Sequence, residues 1–139
     1  MPDPRLIMYH KHPTSARTRF LKLDHGGVCG FEALPAEAGL SEKTLDDSKL
    51  VSHPAFLLRD AETRLGLPSG SLEAESGYRC KVTTEGGSTE VFLARFTGMD
   101  PPFDAAEASG ASFIDLTQAR ALPQVELALL RLAYERILG

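Results

Sequence analysis

Tryptophan is missing from this sequence, and aromatic residues make up only 7% of it. A stacking platform for sugars or bases would have few rings to draw on. Cysteine occurs only twice, as Cys29 and Cys80, with no CxxC spacing. That excludes a dense disulfide framework and leaves two reduced, buried thiols as the expectation, in keeping with a cytoplasmic protein. No apolar run reaches the length of a transmembrane helix, and the opening MPDPRLIMYHKH is too short in apolar residues for a secretory leader. The glycine pairs Gly26-Gly27 and Gly86-Gly87 belong to neither GxGxxG nor GxxxxGK[ST], and no GxSxG elbow surrounds Ser15, Ser41 or Ser52. Nucleotide binding by a known glycine loop and a serine nucleophile are both unsupported.

An excess of one charge is also lacking. The net charge of −4 gives nucleic acid no general attraction. The distribution is less even: residues 1–25 hold Arg5, Lys11, Arg17, Arg19 and Lys22 against Asp3 and Asp24, a balance of +3, so the remainder carries −7.

What is present begins with Ser71–Thr97, SLEAESGYRCKVTTEGGSTEVFLARFT. Leu72, Ala74, Tyr78, Cys80 and Val82 alternate with Glu73, Glu75, Arg79, Lys81 and Thr83, the period of a strand with one face buried. Gly86-Gly87 can take the positive φ angles of a tight turn. With those two glycines as the loop, Val82 faces Val91, Cys80 faces Leu93 and Tyr78 faces Arg95, so the apolar sets of both arms meet. Phe92 and Phe96 fall on the opposite, mixed face, which predicts partial cover there too. This hairpin is expected at the centre of a sheet.

Short strands are expected at Leu6–His10, Arg19–Leu23, Val28–Leu34 and Phe113–Leu116, with a turn at Pro13-Thr14-Ser15. Ser41 is placed to cap a short helix through Asp46. Pro54–Leu65 reads as a helix whose apolar set is Phe56, Leu57, Ala61 and Leu65, with Ser52 or His53 as cap and Asp60–Arg64 paired on the wet side. Gly66 then Pro68 stops it. Phe103–Ala108 suggests a brief helical turn. Pro123–Leu138 is the strongest helix, and its only clean polar stripe is Gln124, Arg131 and Glu135. So apolar a helix needs cover from the sheet plus another helix or a second subunit. The βαβ rhythm of a parallel sheet is missing. The chain therefore reads as one α+β domain over residues 1–139, with a mainly antiparallel sheet of five or six strands and the two better helices packed on it.

The sharpest chemical feature is His10-Lys11-His12. On a strand the two imidazoles share a face and could hold one divalent metal, with His25 and Cys29 as further N/S ligands. No other cofactor is implied. His53 beside a helix start is weighed as a cap against a general base. Cys80 reads as a core thiol, leaving Cys29 the more reactive of the two. Asp100, Asp104 and Asp115 could form a carboxylate cluster, although turn and capping roles explain Asp100 and Asp115 without one. Glu126 lies inside the apolar arc of the last helix, where the helix dipole favours a first-turn carboxylate.

No convergent catalytic set is legible, which points away from an enzyme. The first expectation is a non-catalytic binding or oligomerisation module, using the last helix against a protein partner or a second copy. The alternatives are a metal-binding protein or metal-dependent enzyme on His10 and His12, and anion or nucleic-acid binding by Arg17, Arg19 and Lys22.

Overall fold

A strand in the middle of a sheet must satisfy two rows of backbone groups and two side-chain faces at once. LIMYH meets that demand, being apolar on both faces up to His10. The computed structural model describes residues 5–30, 39–40, 54–75, 80–84 and 87–138. In it β1 (Arg5–Lys11), β2 (Thr18–Lys22), β3 (Gly39–Leu40), β4 (Leu72–Ala74), β5 (Cys80–Thr84), β6 (Gly87–Phe96) and β7 (Ser112–Ile114) form one sheet in the order β3-β5-β6-β1-β2-β7. β4 pairs with β6 on the same side as β5. Every pairing is antiparallel except the central one, where β1 runs parallel to β6 from Arg5↔Val91 to Tyr9↔Arg95. The fold is α+β, as the sequence leads one to expect.

The expected hairpin forms, with two differences. Its register differs, with Val82 facing Thr89 and Cys80 facing Val91. The partners are shifted by two, an even number, so the faces are kept: Cys80, Val82, Val91 and Leu93 all reach one core. The first arm, however, is not one strand. Ala74 faces Ala94 whereas Cys80 faces Val91, so six steps along this arm answer to three along β6. An odd excess of three exchanges the faces, and Leu72 joins the opposite core from Cys80. Tyr78 lies outside the described residues, as do the expected helix at 41–46, the cap at Ser52 or His53, and the outer part of the strand expected from Val28 to Leu34.

The two cores lie on the two faces of the sheet. On one, Ile7, Tyr9, Phe20, Val91 and Leu93 meet Leu129, Leu130 and Ala133 of α3 (Gln124–Leu138). Leu129 and Leu130 are fully buried within this one chain, each worth roughly 1.5–3 kcal/mol. On the other face, Leu6, Met8, Leu21 and Phe92 meet α1 (Pro54–Leu65) and α2 (Phe103–Ala108). The buried stripe of α1 is Leu58, Ala61 and Leu65, and Phe56, expected inside, is 78% exposed. Gly66 ends α1 at φ +71°, where its N–H meets the Thr63 carbonyl and the Leu67 N–H meets that of Glu62. Asp60 and Arg64 pair at 3.0 Å on the outer side, as their spacing predicts.

Val28 to Gly30 is a buried loop and no strand. The cause is Glu126. Its Oε1 accepts from the N–H groups of Val28 (2.7 Å) and Cys29 (3.1 Å), which removes both donors from any strand ladder. Gly27 makes room for the carboxylate, since a Cβ there would stand 2.5 Å from Oε1. Glu126 is thus buried because it fastens the first turn of α3 to this loop, beyond any favour from the helix dipole. Replacing it with Ala leaves two buried donors unpaired, and Glu126→Ala is expected to lower unfolding stability by roughly 2–4 kcal/mol. Urea titration against Arg131→Ala, an exposed change on the same helix, measures this.

Candidate active site

The parallel pairing of β1 with β6 brings their carboxyl ends to the same end of the sheet. Three loops gather there. The turn after β1 is closed by His12, whose N–H donates to the Arg17 carbonyl and whose own carbonyl accepts from Ala16. The loop after α1 reaches the loop after β6 through Thr97, whose N–H donates to the Ser71 carbonyl at 2.9 Å and whose hydroxyl donates to the Gly70 carbonyl at 2.9 Å.

His10 and His12 share a face, as strand spacing requires, with ring centroids 6.4 Å apart. His10 is fully buried. Its Nε2 lies 2.9 Å from the Gly98 carbonyl, which can only accept, so this nitrogen carries a proton. Its Nδ1 is buried with no hydrogen-bond partner among the described residues. His12 is 27% exposed and differently held. Its Nδ1 accepts from the N–H groups of Thr14 (3.2 Å) and Ser15 (3.3 Å), while Nε2 faces Asp100 at 3.8 Å. A neutral His12 therefore has its remaining proton on the nitrogen nearest the carboxylate. Opposite His10 in the ladder stands Arg19, with its guanidinium 5.6 Å from the centre of the half-exposed Phe103 ring. Phe103, Phe113 and Phe96 follow edge to face at 5.5 and 5.6 Å, running from the surface to the core.

His25 and Cys29 do not join this group. Arg5, at the start of β1, donates to the Cys29 carbonyl at 3.2 Å, which puts the 24–30 loop five residues, roughly 16 Å, down the strand from His10. His25 Nε2 faces the Gly30 carbonyl at 2.9 Å. The four expected ligands are thus divided between two ends of the sheet. Among the described residues no group of three or more His, Cys, Asp or Glu is placed to hold a metal. Asp100, Asp104 and Asp115 are separate as well. Asp115 accepts from the Thr117 hydroxyl and the Gln118 N–H, and these bonds, the hydroxyl first, hold its carboxyl below the usual range. Nor do Arg17, Arg19 and Lys22 form one basic patch, because positions 19 and 22 fall on opposite faces of β2 and Arg17 meets Asp115 at 3.9 Å. His53 lies outside the described residues.

Cys29, which the sequence suggests as the more reactive thiol, is fully buried and so withdrawn from attack. Burial first, then the charge of Glu126, pushes its thiol up to about 12. Tyr9 is also withdrawn: it is buried, its hydroxyl donates to Glu75 at 2.7 Å, and its pKa is raised mainly by burial. A buried carboxylate that alternation did not reveal is Glu62, on the inner side of α1. It accepts from Arg59 at 2.9 Å, the Gly70 N–H at 3.0 Å and the Leu72 N–H at 2.9 Å. The signal for it was positional: Glu62 follows Ala61 directly on the side that carries Leu58 and Leu65.

The fold that places these groups is a mixed sheet with one long helix on one face and two shorter ones on the other. One solved structure with a similar fold is the Ap4A hydrolase of C. elegans, which the chain matches with a TM-score of 0.52 and 16% identity, over 99% of this chain and 96% of that one. No family model matches the sequence, and no curated protein matches it. The likeness overturns the expectation of a non-catalytic binding or oligomerisation module. That expectation rested on seeing no convergent catalytic set, and residues from separate loops converge only in the folded chain. Among the described residues no helix is long and apolar enough to cross a membrane.

Both thiols are buried. Burial also pushes the Cys29 thiol up to about 12, so at pH 8 it is held almost wholly in the unreactive protonated form. The native protein is therefore expected to leave Ellman's reagent unreduced while unfolding in guanidinium releases two thiols per chain, read as absorbance at 412 nm.

Proposed function

We propose that this chain is a hydrolase that cleaves a phosphoanhydride bond in a small nucleotide-type substrate. The observation that carries the reading is the match over nearly the whole length of both chains to an Ap4A hydrolase. The side chains at the carboxyl ends of β1 and β6 support it. With Cys29 and Cys80 buried and Tyr9 engaged, direct attack by water is the favoured route, in which a P–O bond forms to water as the bridging P–O bond breaks. That step needs a group to move a proton. The exposed Asp100 carboxylate takes the proton of the attacking water, and His12, its ring fixed through Nδ1 by two backbone donors, turns its Nε2–H toward that carboxylate. Arg19 lies across the ladder from His10, on the face of the sheet that Phe103 covers, and supplies fixed positive charge for a phosphate.

Chromatography of Ap4A, ATP and ADP after incubation with the purified protein and Mg²⁺ tests this. Turnover of at least one is expected, and Asp100→Asn should lower kcat by roughly 10²–10⁴-fold with Tm preserved, since this side chain is exposed. Failure to cleave any phosphoanhydride in the panel would sink the reading.

A further inference from the structure

We propose that Glu62 is a positioning residue for the His12–Asp100 pair, acting through a continuous run of hydrogen bonds from α1 to the loop after β6. The inference rests on the hydrolase reading for its catalytic meaning, and on geometry alone for the coupling.

The run starts inside. Glu62 is 2% exposed, and a carboxylate so placed must have its oxygens met. Oε1 takes the Arg59 guanidinium, and that same guanidinium nitrogen also reaches the Ser69 hydroxyl. Oε2 takes the N–H groups of Gly70 and Leu72. Three donors around one carboxylate fix the loop from Ser69 to Leu72 more firmly than an exposed ion pair would. The outward carbonyls of Gly70 and Ser71 then accept from Thr97. The next residue, Gly98, gives its carbonyl to His10 Nε2 at 2.9 Å, and two residues further on Asp100 faces His12. Leu72 pairs with Phe96 in the ladder, so the two loops leave the sheet side by side.

Asp100 itself is 76% exposed, and its distance of 3.8 Å from His12 is too long to hold it in place. Its position is set by the 97–98 backbone, which is fastened on one side by His10 and on the other by the Glu62 loop. His10 cannot do this alone. It offers one bond from Nε2, and among the described residues its Nδ1 has no partner.

Glu126 provides the control. It too is a buried carboxylate accepting from two backbone N–H groups, but it serves the opposite end of the sheet, beside His25. General loosening from losing a buried carboxylate would affect both ends alike.

The test is the ring ¹⁵N spectrum of the histidines at fixed pH in the full chain, for wild type, Glu62→Gln, Glu126→Gln and Thr97→Val. Glu62→Gln is expected to move the His10 and His12 resonances and leave His25 in place, while Glu126→Gln moves His25 alone. Thr97→Val removes only the hydroxyl link and should move the same two resonances less far; it also stands in if Glu62→Gln does not fold. On the substrate that wild type cleaves, Glu62→Gln should lower kcat roughly 10–100-fold with KM little changed, the scale seen for partners one shell behind a reacting group. His10 and His12 resonances that stay put in both Glu62→Gln and Thr97→Val, or that move together with His25, overturn the proposal. If wild type cleaves nothing, the hydrolase reading fails, and the ring spectra still decide whether Glu62 holds this loop.

Discussion

The parallel pairing of β1 with β6 is the constraint on which the remaining structure depends. These two strands occupy the middle of the sheet, and Leu6, Ile7, Met8 and Tyr9 lie against Phe92, Leu93, Ala94 and Arg95 in register. Both strands bury side chains on both faces, so each needs helices above and below. α3 supplies one cover, and α1 with α2 supplies the other. Since the strands run the same way, the turn after β1 and the loop after β6 emerge at one end. An antiparallel pairing there would have sent them to opposite ends and separated His12 from Asp100.

Two buried carboxylates then join the helices to the loops. Glu62 and Glu126 each accept from two backbone N–H groups, and each sits on a helix that covers a different face. A buried charge is costly unless its oxygens are met, and a buried loop is costly unless its donors are met. Each glutamate resolves both demands together. Gly27 is small for that reason, because the carboxylate of Glu126 fills the space a side chain would take.

The chemistry left to the loop end follows from what the core has withdrawn. Cys29 is shut in by burial and by the charge of Glu126, and Tyr9 is bound to Glu75. His10 is closed against Gly98. His12 and the exposed Asp100 remain, the ring held through Nδ1 and its Nε2 facing the carboxylate. Under the proposed hydrolysis, this division favours attack by water over a covalent intermediate on the protein.

Local pattern by itself determined the α+β class, the antiparallel pairing of β5 with β6, the helices near 54–65 and 123–138, the glycine stop at Gly66 and the shared face of His10 and His12. These depend on periods of two and 3.6 and on residues that permit or forbid a backbone angle, all of which act within a few positions of chain. Tertiary structure alone decided the rest. The three extra residues between Ala74 and Cys80 keep the alternation of each piece intact while exchanging their faces, so Leu72 and Cys80 look alike in sequence and enter different cores. Phe56 and Leu58 are both apolar, and only packing on the sheet chose Leu58. The separation of His25 and Cys29 from His10, and the meeting of His12 with Asp100, follow from strand direction and order. Those are settled by contacts between segments dozens of residues apart, for which local periodicity carries no signal.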